Sequence, residues 1–536
     1  MVMALGETFL WALRELLSAR LGDARLNVRL AKLVAAFIVA PNGSLPETFQ
    51  TWGDLKAAYR FFSNRRVQAR SVFEAHAQST MGRLQGRPIV LVAQDTTFFN
   101  DTTHPHMTGL GPIGANRQKQ RGFGMHSALA IDAKSGEPLG LLGAILWARK
   151  DPAAKPDRPA KTPEEKESAR WIKMLKHVTR DIPAGTQVVA VSDRESDTIE
   201  YLHAAVCGNH PFVARATHNR RLANGQEKRL WEAAEAAKVL GVVMITVPRA
   251  DNRPTRQAQL ALQAVTVELA PPAGKRALGP VRVTALLARE VMCPEGQQPL
   301  NWLLLTNVPV VTAADAAQRL QWYAHRWKIE RFHFVLKSGC RVEELQLAEA
   351  VRIQRALAVF SVVAWRLLAL TYGAREHPDQ PCTRLLSDDE WRALACFIHA
   401  TPTPPAEPPD LHTAVRWIAK LGGFIGRRSD GEPGVKVIWR GLRRLPDITA
   451  MWRIMQRRNG CRAEPLPPLQ ARSAQRHPSL PIPNGPSPVQ TASFTPARHR
   501  LLPSLLPATL PNTVYPGSTP ASRPVPPCRR WPPTPA

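Results

Sequence analysis

The chain has 536 residues, and a single hydrophobic core stops growing near roughly 250–300 residues, so several domains are expected. The formal net charge of +28 indicates a polyanionic partner. Nucleic acid is the commonest such partner, although a basic secreted protein or a ribosome-associated factor carries a similar charge. The seven cysteines are scattered and contain no C-x-x-C pair, which argues against a disulfide scaffold and against a structural zinc site.

The first stretch, residues 1–17, predicts neither a signal peptide nor a membrane span. Charged side chains interrupt its apolar positions, and no small-residue cleavage site follows them. We therefore expect a cytoplasmic protein without a membrane partner.

Two amphipathic helices are predicted next. Residues 21–37 repeat apolar side chains at helical spacing, and residues 52–63 form a second helix in which Lys56 and Arg60 lie one turn apart. We interpret residues 1–75 as a small helical DNA-binding domain that contacts DNA through Lys56 and Arg60. A basic helical pair that is merely solvated is the alternative.

Residues 76–217 have the rhythm of a mixed α/β domain. Their apolar runs are short and partly β-branched, which favours strands over helices. The runs are PIVLVAQDTT (88–97), HSALAID (126–132), LGLLGAILW (139–147), QVVAVSD (187–193) and FVARAT (212–217). We interpret two of them as strands that end in an aspartate, Asp95 and Asp193.

Alternating runs in residues 218–300 predict an antiparallel β insertion. Residues 301–375 return to the core pattern, with a strand at 302–307 and long helices at 314–338 and 345–373.

Further helices are expected at 387–399, 411–421 and 437–457, within a helical region at 376–460. Residues 461–536 are rich in proline and basic side chains, and we expect them to be disordered. Such a tail either adds weak nonspecific DNA affinity or has no function, as after read-through into an unselected frame.

One predicted helix carries a polar stripe of Tyr323, Arg326, Glu330 and Lys337. At about 100° per residue these positions fall within about 60° of one another. An apolar stripe beside it would anchor the helix on the core, formed by Trp322, Ile329, Phe332 and Leu336. On spacing alone, an ordinary salt-bridged face with Arg326 and Glu330 as an i, i+4 pair explains the polar stripe equally well.

The two strand-end aspartates favour chemistry over a solvated face. Together with Glu330 they would place three carboxylates around Mg²⁺, for which Mn²⁺ can substitute. Two such ions can activate an attacking oxygen and stabilise a leaving oxygen at phosphorus. Asp95, Asp193 and Glu330 are therefore the predicted catalytic residues and metal ligands of a phosphodiester reaction.

Three motifs carry a resemblance to a known family. They are QDTT at 94–97, SDRESD at 192–197 and the spaced Tyr/Arg/Glu/Lys signature in YAHRWKIERFH at 323–333. The chain resembles bacterial cut-and-paste DDE transposases, and among them the insertion-sequence-four family, which includes the transposase of transposon five. The resemblance spans about residues 10–460, with LGDARL and KAAYRFF similar to the end-binding domain and LGGFIGRR at 421–428 similar to the dimerisation region.

The resemblance implies an RNase H-like mixed-sheet core with a β insertion before the glutamate. It implies that Tyr323, Arg326 and Lys337 hold phosphates of the transposon end. It also implies that Trp302 stacks on a flipped base during hairpin formation, with Trp327 as a second aromatic near that nucleotide. Arg215 is a further candidate phosphate contact.

The expected function is that of a homodimeric transposase in a synaptic complex with the inverted-repeat ends and target DNA, with no small-molecule substrate. We expect it in the bacterial cytoplasm, associated with the nucleoid. Two alternatives stay open: a nuclease of the same fold, and a catalytically inert DNA-binding regulator or inhibitor of transposition.

Overall fold

The computed structural model describes residues 4–49, 51–114, 120–150, 166–224, 227–247, 256–427 and 430–460. The predicted disordered tail at 461–536 lies outside these ranges.

The N-terminal part is helical, as predicted. Its helices are α1 (Ala4–Glu15), α2 (Ala24–Val39), α3 (Leu45–Thr48), α4 (Trp52–Ser63) and α5 (Ala69–Leu84). Side-chain caps fix three of the starts, because Asp23, Ser44 and Thr51 each accept a hydrogen bond from a backbone N–H of the following turn. The prediction of a helix over 52–63 is confirmed to the residue.

Ten strands of the described residues form one sheet. They are β1 (Ile89–Asn100), β2 (Gly111–Pro112), β3 (Arg121–Asp132), β4 (Pro138–Trp147), β5 (Gln187–Ser192), β6 (Phe212–Arg215), β7 (Val239–Val247), β8 (Arg256–Leu269), β9 (Val281–Glu290) and β10 (Asn301–Thr306). The order is β2-β3-β1-β5-β6-β10-β9-β8-β7, and β4 also pairs with β3. Strands β1, β5 and β6 are parallel, and the other pairings are antiparallel.

The sheet corrects the position predicted for Asp95. Strand β1 continues to Asn100 because β3 pairs with it along its whole length, so Asp95 lies in mid-strand and not at a strand end. The parallel pairing of β1 with β5, by contrast, stops at Gln94 and Ser192. Asp95 therefore lies where the parallel ladder ends, and Asp193 ends its own strand as predicted.

The predicted antiparallel insertion is confirmed as strands β7, β8 and β9. A helix, α8 (Leu230–Ala236), precedes them. Because β9 pairs with β10, and β10 with β6, the insertion extends the core sheet.

Helices cover both faces of the sheet, and the core strands are buried on both sides. Leu91 and Ala93 of β1 pack into the cluster that contains the middle of α11 (Ala350–Glu376), whereas Val90 and Val92 face a cluster with Leu84 and Met174. The helices on the second side include α6 (Ala169–Val178), α7 (Ile199–Cys207) and α8.

Helix α11 is long and apolar enough to cross a membrane, but 83% of its apolar window is buried inside the protein. It is the central core helix, which explains its composition. The remaining C-terminal helices confirm the predicted pattern: α12 (Asp388–His399), α13 (Leu411–Leu421) and α14 (Val435–Gly460).

The helix predicted at 314–338 is interrupted. It consists of α9 (Ala313–His325), α10 (Trp327–Phe334) and a π-helical turn at Val335–Gly339. The backbone N–H of Cys340 donates to the Val335 carbonyl, an i to i+5 bond, at 2.8 Å. Lys337 lies within this wider turn.

Candidate active site

The two predicted aspartates lie side by side on neighbouring strands. Gln94 of β1 pairs with Ser192 of β5, and Asp95 and Asp193 each follow by one residue. Asp193 then caps a short 3-10 turn, accepting the N–H of Glu195 at 2.9 Å. Burial, and next the charge of Asp95, raise the pKa of Asp193 to about 6. The two carboxylates therefore repel each other, and a bound cation would relieve this repulsion.

Glu330 joins this environment from α10, but it is held by an arginine. The Arg326 guanidinium Nη2 donates to Glu330 Oε1 at 2.5 Å, and the Arg326 side chain is only 12% exposed. Burial raises the pKa of Glu330 against the opposing effect of Arg326, and the charge of Asp95 raises it further. Asp95 is thus electrostatically coupled to both other carboxylates.

The three carboxylates nevertheless do not surround a common metal position. Within the described ranges, no three His, Cys, Asp or Glu side chains are close enough together to hold a metal ion. The Arg326–Glu330 ion pair accounts for this, since it directs the third carboxylate to the guanidinium.

A histidine that the sequence analysis did not single out contacts Asp95. His333 Nδ1 lies 3.5 Å from Asp95 Oδ2, and His333 Nε2 lies 2.8 Å from Ser127 Oγ. His333 falls three residues after Glu330, so helical spacing alone could have placed it on the catalytic face.

Arg170 was also missed. Its Nε donates to Thr96 Oγ1 of β1 at 3.1 Å, and its Nη2 donates to Glu195 Oε2 at 3.0 Å. It thereby ties the turn after Asp193 to the strand of Asp95. No motif around Arg170 signals this role, because the contacts join segments distant in sequence.

The aromatic residues of the site form one cluster with Arg326. Trp302 packs edge-on against Tyr323, with ring centroids 5.7 Å apart. The Arg326 guanidinium lies 5.7 Å from the ring centroids of both Tyr323 and Trp327. Tyr323 is buried and Trp302 half-buried, whereas Trp327 is 56% exposed.

Lys337 faces the protein. Its ammonium Nζ donates to the Phe98 carbonyl of β1 and lies 5.4 Å from the Phe99 ring centroid. Burial lowers the pKa of Lys337. Lys337 therefore contacts β1, the strand that carries Asp95.

The three remaining predicted DNA contacts are cations that stay available for a ligand. Arg215 ends β6 beside Asp193, because Ser192 pairs with Ala214 one residue earlier. Lys56 and Arg60 are exposed on α4. Within the described ranges, none of the three side chains makes a hydrogen bond or an ion pair.

Two comparisons with protein families assign the helical ends of the chain. The transposase DNA-binding model matches residues 9–67, which contain α2, α3 and α4. The transposase Tn5 dimerisation domain model matches residues 362–457, from within α11 to near the end of α14. These matches support a Tn5-type transposase. The same two regions support a DNA partner and a homodimer.

The chemistry of the donor set fits a divalent metal ion. Asp95 and Asp193 supply hard carboxylate oxygens at adjacent positions, with mutual repulsion that a cation offsets. Glu330 is a third oxygen donor of the same type, and its Oε1 accepts a hydrogen bond from Arg326.

Proposed function

We propose that the chain is a cut-and-paste DDE transposase of the insertion-sequence-four family, with Asp95, Asp193 and Glu330 as the catalytic carboxylates. The observation that carries the proposal is the adjacency of Asp95 and Asp193 on β1 and β5, with Glu330 electrostatically coupled to Asp95. It occurs in a chain whose two ends match a transposase DNA-binding model and a transposase dimerisation model.

An RNase H-like core is part of the proposal. The order β4-β3-β1-β5-β6, with β3 antiparallel and β5 and β6 parallel to β1, supports it. The carboxylates then lie where the parallel pairing ends, which is where open α/β sheets place their ligands.

Asp95, Asp193 and Glu330 would hold two Mg²⁺ ions, or Mn²⁺ in their place. When bound, such ions activate the attacking oxygen and stabilise the leaving one. The reaction would proceed by hydrolysis that frees a 3′-OH, attack of that hydroxyl on the opposite strand to form a hairpin, hairpin opening, and strand transfer. Each step is an in-line displacement at phosphorus, so one site serves all four.

The chain's own residues would bind and orient the end. Arg326 would exchange Glu330 for a phosphate of the DNA. This exchange would bind the DNA and would free the Glu330 carboxylate. Trp327, exposed beside Arg326, and Trp302, supported by Tyr323, are positioned to stack on an extruded base. Lys337 would reach a phosphate only after leaving the Phe98 carbonyl.

A homodimeric synaptic complex is likewise proposed, with each subunit holding one end that the partner's carboxylates cut. An exposed apolar stripe on α14 supports dimerisation: Met451, Ile454 and Met455, at i, i+3 and i+4, are each more than half exposed. They lie within the segment that the dimerisation model matches. We place this complex on the bacterial nucleoid in the cytoplasm.

The test is Mg²⁺-dependent cleavage of a supercoiled plasmid that carries the element's own terminal repeats. We expect cuts confined to the repeat ends, and their loss in Asp95→Asn, Asp193→Asn and Glu330→Gln with end binding retained. Glu295→Gln, an exposed acid of the insertion, is the matched control. Cutting without end preference would favour a nuclease, and end binding without cutting by the natural chain would favour a regulator.

A further inference from the structure

A basic concavity of about 750 Å³ lies beside the turn that follows Asp193. We call it the arginine basin and define it by its five cationic lining residues: Arg220, Arg221, Arg229, Lys275 and Arg276. Two carboxylates, Asp197 and Glu200, also line it. The basin therefore carries a net charge of +3 from these seven residues, which favours an anionic ligand.

Both carboxylates already have partners among the residues that line the basin. Asp197 Oδ1 accepts from Arg220 Nη2 at 2.7 Å, and its Oδ2 accepts the backbone N–H of His218 at 3.0 Å. Glu200 Oε1 pairs with Lys275 Nζ at 2.5 Å. These bonds position the wall but leave three arginines without an acidic partner in the described part of the chain.

Two of those arginines are held opposite each other. Arg221 and Arg229 are partners in an isolated antiparallel bridge. Like charges directly opposite across two strands destabilise the pairing. Arg229 Nη1 donates to the Asn219 carbonyl at 3.1 Å, which satisfies one donor without neutralising the charge. An anion between the two guanidinium groups would remove the repulsion.

The basin is joined to the candidate active site by the turn that follows Asp193. Asp197 belongs to the turn that Asp193 caps, and Thr217 Oγ1 donates to the Arg194 carbonyl of the same turn at 3.3 Å. Arg215, which lies beside Asp193, precedes the basin by a few residues. An extended polyanion whose phosphate lies at Asp193 would therefore meet the basin next.

We propose that the arginine basin binds the phosphate backbone of target DNA, an inference that rests on the proposed transposase function. The DNA that flanks an end is covalently tethered to a bound end, so its effective concentration is already high. Target DNA is a separate molecule that must be captured by its own contacts. Arginines without an acidic partner suit this task, because phosphate contacts bind DNA of any sequence.

The described lining contains one amide side chain, Asn219, whose Oδ1 accepts the backbone N–H of Trp231 at 3.0 Å. The basin is thus poor in the amide side chains that read adenine.

The test uses the full chain saturated with a pre-cleaved end duplex, to which a labelled duplex lacking the end sequence is added. For the Arg221→Ala/Arg276→Ala double variant, we expect binding of the labelled duplex to weaken at least about fivefold. The slope of log affinity against log salt concentration is negative, and its magnitude should decrease by about two. Strand transfer should decrease by about tenfold or more, while end binding and end cleavage stay within about twofold of the natural chain.

Two controls accompany the double variant. The charge-conserving variant Arg221→Lys/Arg276→Lys should retain most of the salt slope, because both positions keep a positive charge. Lys238→Ala removes an exposed cation of the insertion that does not line the basin, and should leave binding unchanged.

An unchanged affinity and salt slope in the double alanine variant would overturn the proposal. An equal loss of end cleavage would also overturn it, because the basin would then hold the end or its flank. Failure of the natural chain to prefer its ends would instead contradict the proposed function. The binding difference between the natural chain and the variant needs no cleavage, so the two failures are distinguishable.

Discussion

Two regions of this molecule combine basic and aromatic side chains in sequence, but their cations contact different groups. On α4, Lys56 and Arg60 are exposed and have no partner among the described residues. In the segment from Tyr323 to Lys337, Arg326 is tied to Glu330 and Lys337 to the Phe98 carbonyl. Both regions are proposed to bind phosphates, but only the first is ready to do so without rearrangement.

The difference has a physical cause. An exposed cation keeps its hydration until a phosphate replaces it, and the protein loses little. A buried cation must be paired, since an unpaired buried charge costs several kcal/mol. Under the proposed function, the segment from Tyr323 to Lys337 would exchange partners when DNA arrives, which would couple DNA binding to the release of Glu330.

The largest expected effect concerns a buried carboxyl group. Asp101, just beyond β1, is 1% exposed, and neither of its carboxyl oxygens has a hydrogen-bond partner in the described part of the chain. Burial, and next the charge of Glu343, raise the pKa of Asp101 to about 7. Because the folded pKa exceeds the unfolded value of about 4, this group's contribution to stability is lost as pH rises from about 4 to about 7.

Asp101→Asn removes that titration. The unfolding free energy of the variant relative to the natural chain should increase between about pH 4 and pH 7, and level off above it, by roughly 2–4 kcal/mol. Denaturant titrations at pH 5 and pH 8 measure the difference. Equal differences at both pH values would show that Asp101 is ionised in the folded chain at pH 5.

Two smaller effects test the difference between α4 and the segment from Tyr323 to Lys337. Lys337→Ala should slow cleavage at saturating DNA by about tenfold while leaving the salt slope of end binding unchanged, because Lys337 would leave the Phe98 carbonyl for a phosphate only after the end has bound. Lys56→Ala should weaken end binding by a few fold and reduce that slope by about one, with the cleavage rate at saturation unchanged. Gel-shift titrations at several salt concentrations, with single-turnover cleavage, separate the two. A smaller salt slope in Lys337→Ala, together with slower cleavage at saturation in Lys56→Ala, would reverse the roles of the two regions.

Local signals predicted much of the molecule from sequence. The helix at 52–63 is bounded by the Thr51 cap, and the Arg326–Glu330 pair follows from i, i+4 spacing. The strands of the core were recognisable from their β-branched apolar runs.

Nonlocal contacts decided the rest. Asp95 lies in mid-strand because β3 pairs beyond it. His333 reaches Asp95, and Arg170 reaches Thr96, only through the tertiary fold. The π-helical turn at Val335–Gly339 was not predicted; it follows α10, which packs against β1 and α11.

The central claim is that Asp95, Asp193 and Glu330 form one metal site when DNA is bound. Mn²⁺ binding, followed by electron paramagnetic resonance with saturating end DNA, tests it most directly. The natural chain should bind Mn²⁺, and Asp193→Asn should weaken that binding at least about tenfold. Glu195→Gln, which removes the neighbouring acid that pairs with Arg170, should leave it unchanged. Natural affinity in Asp193→Asn, with loss in Glu195→Gln, would contradict the claim.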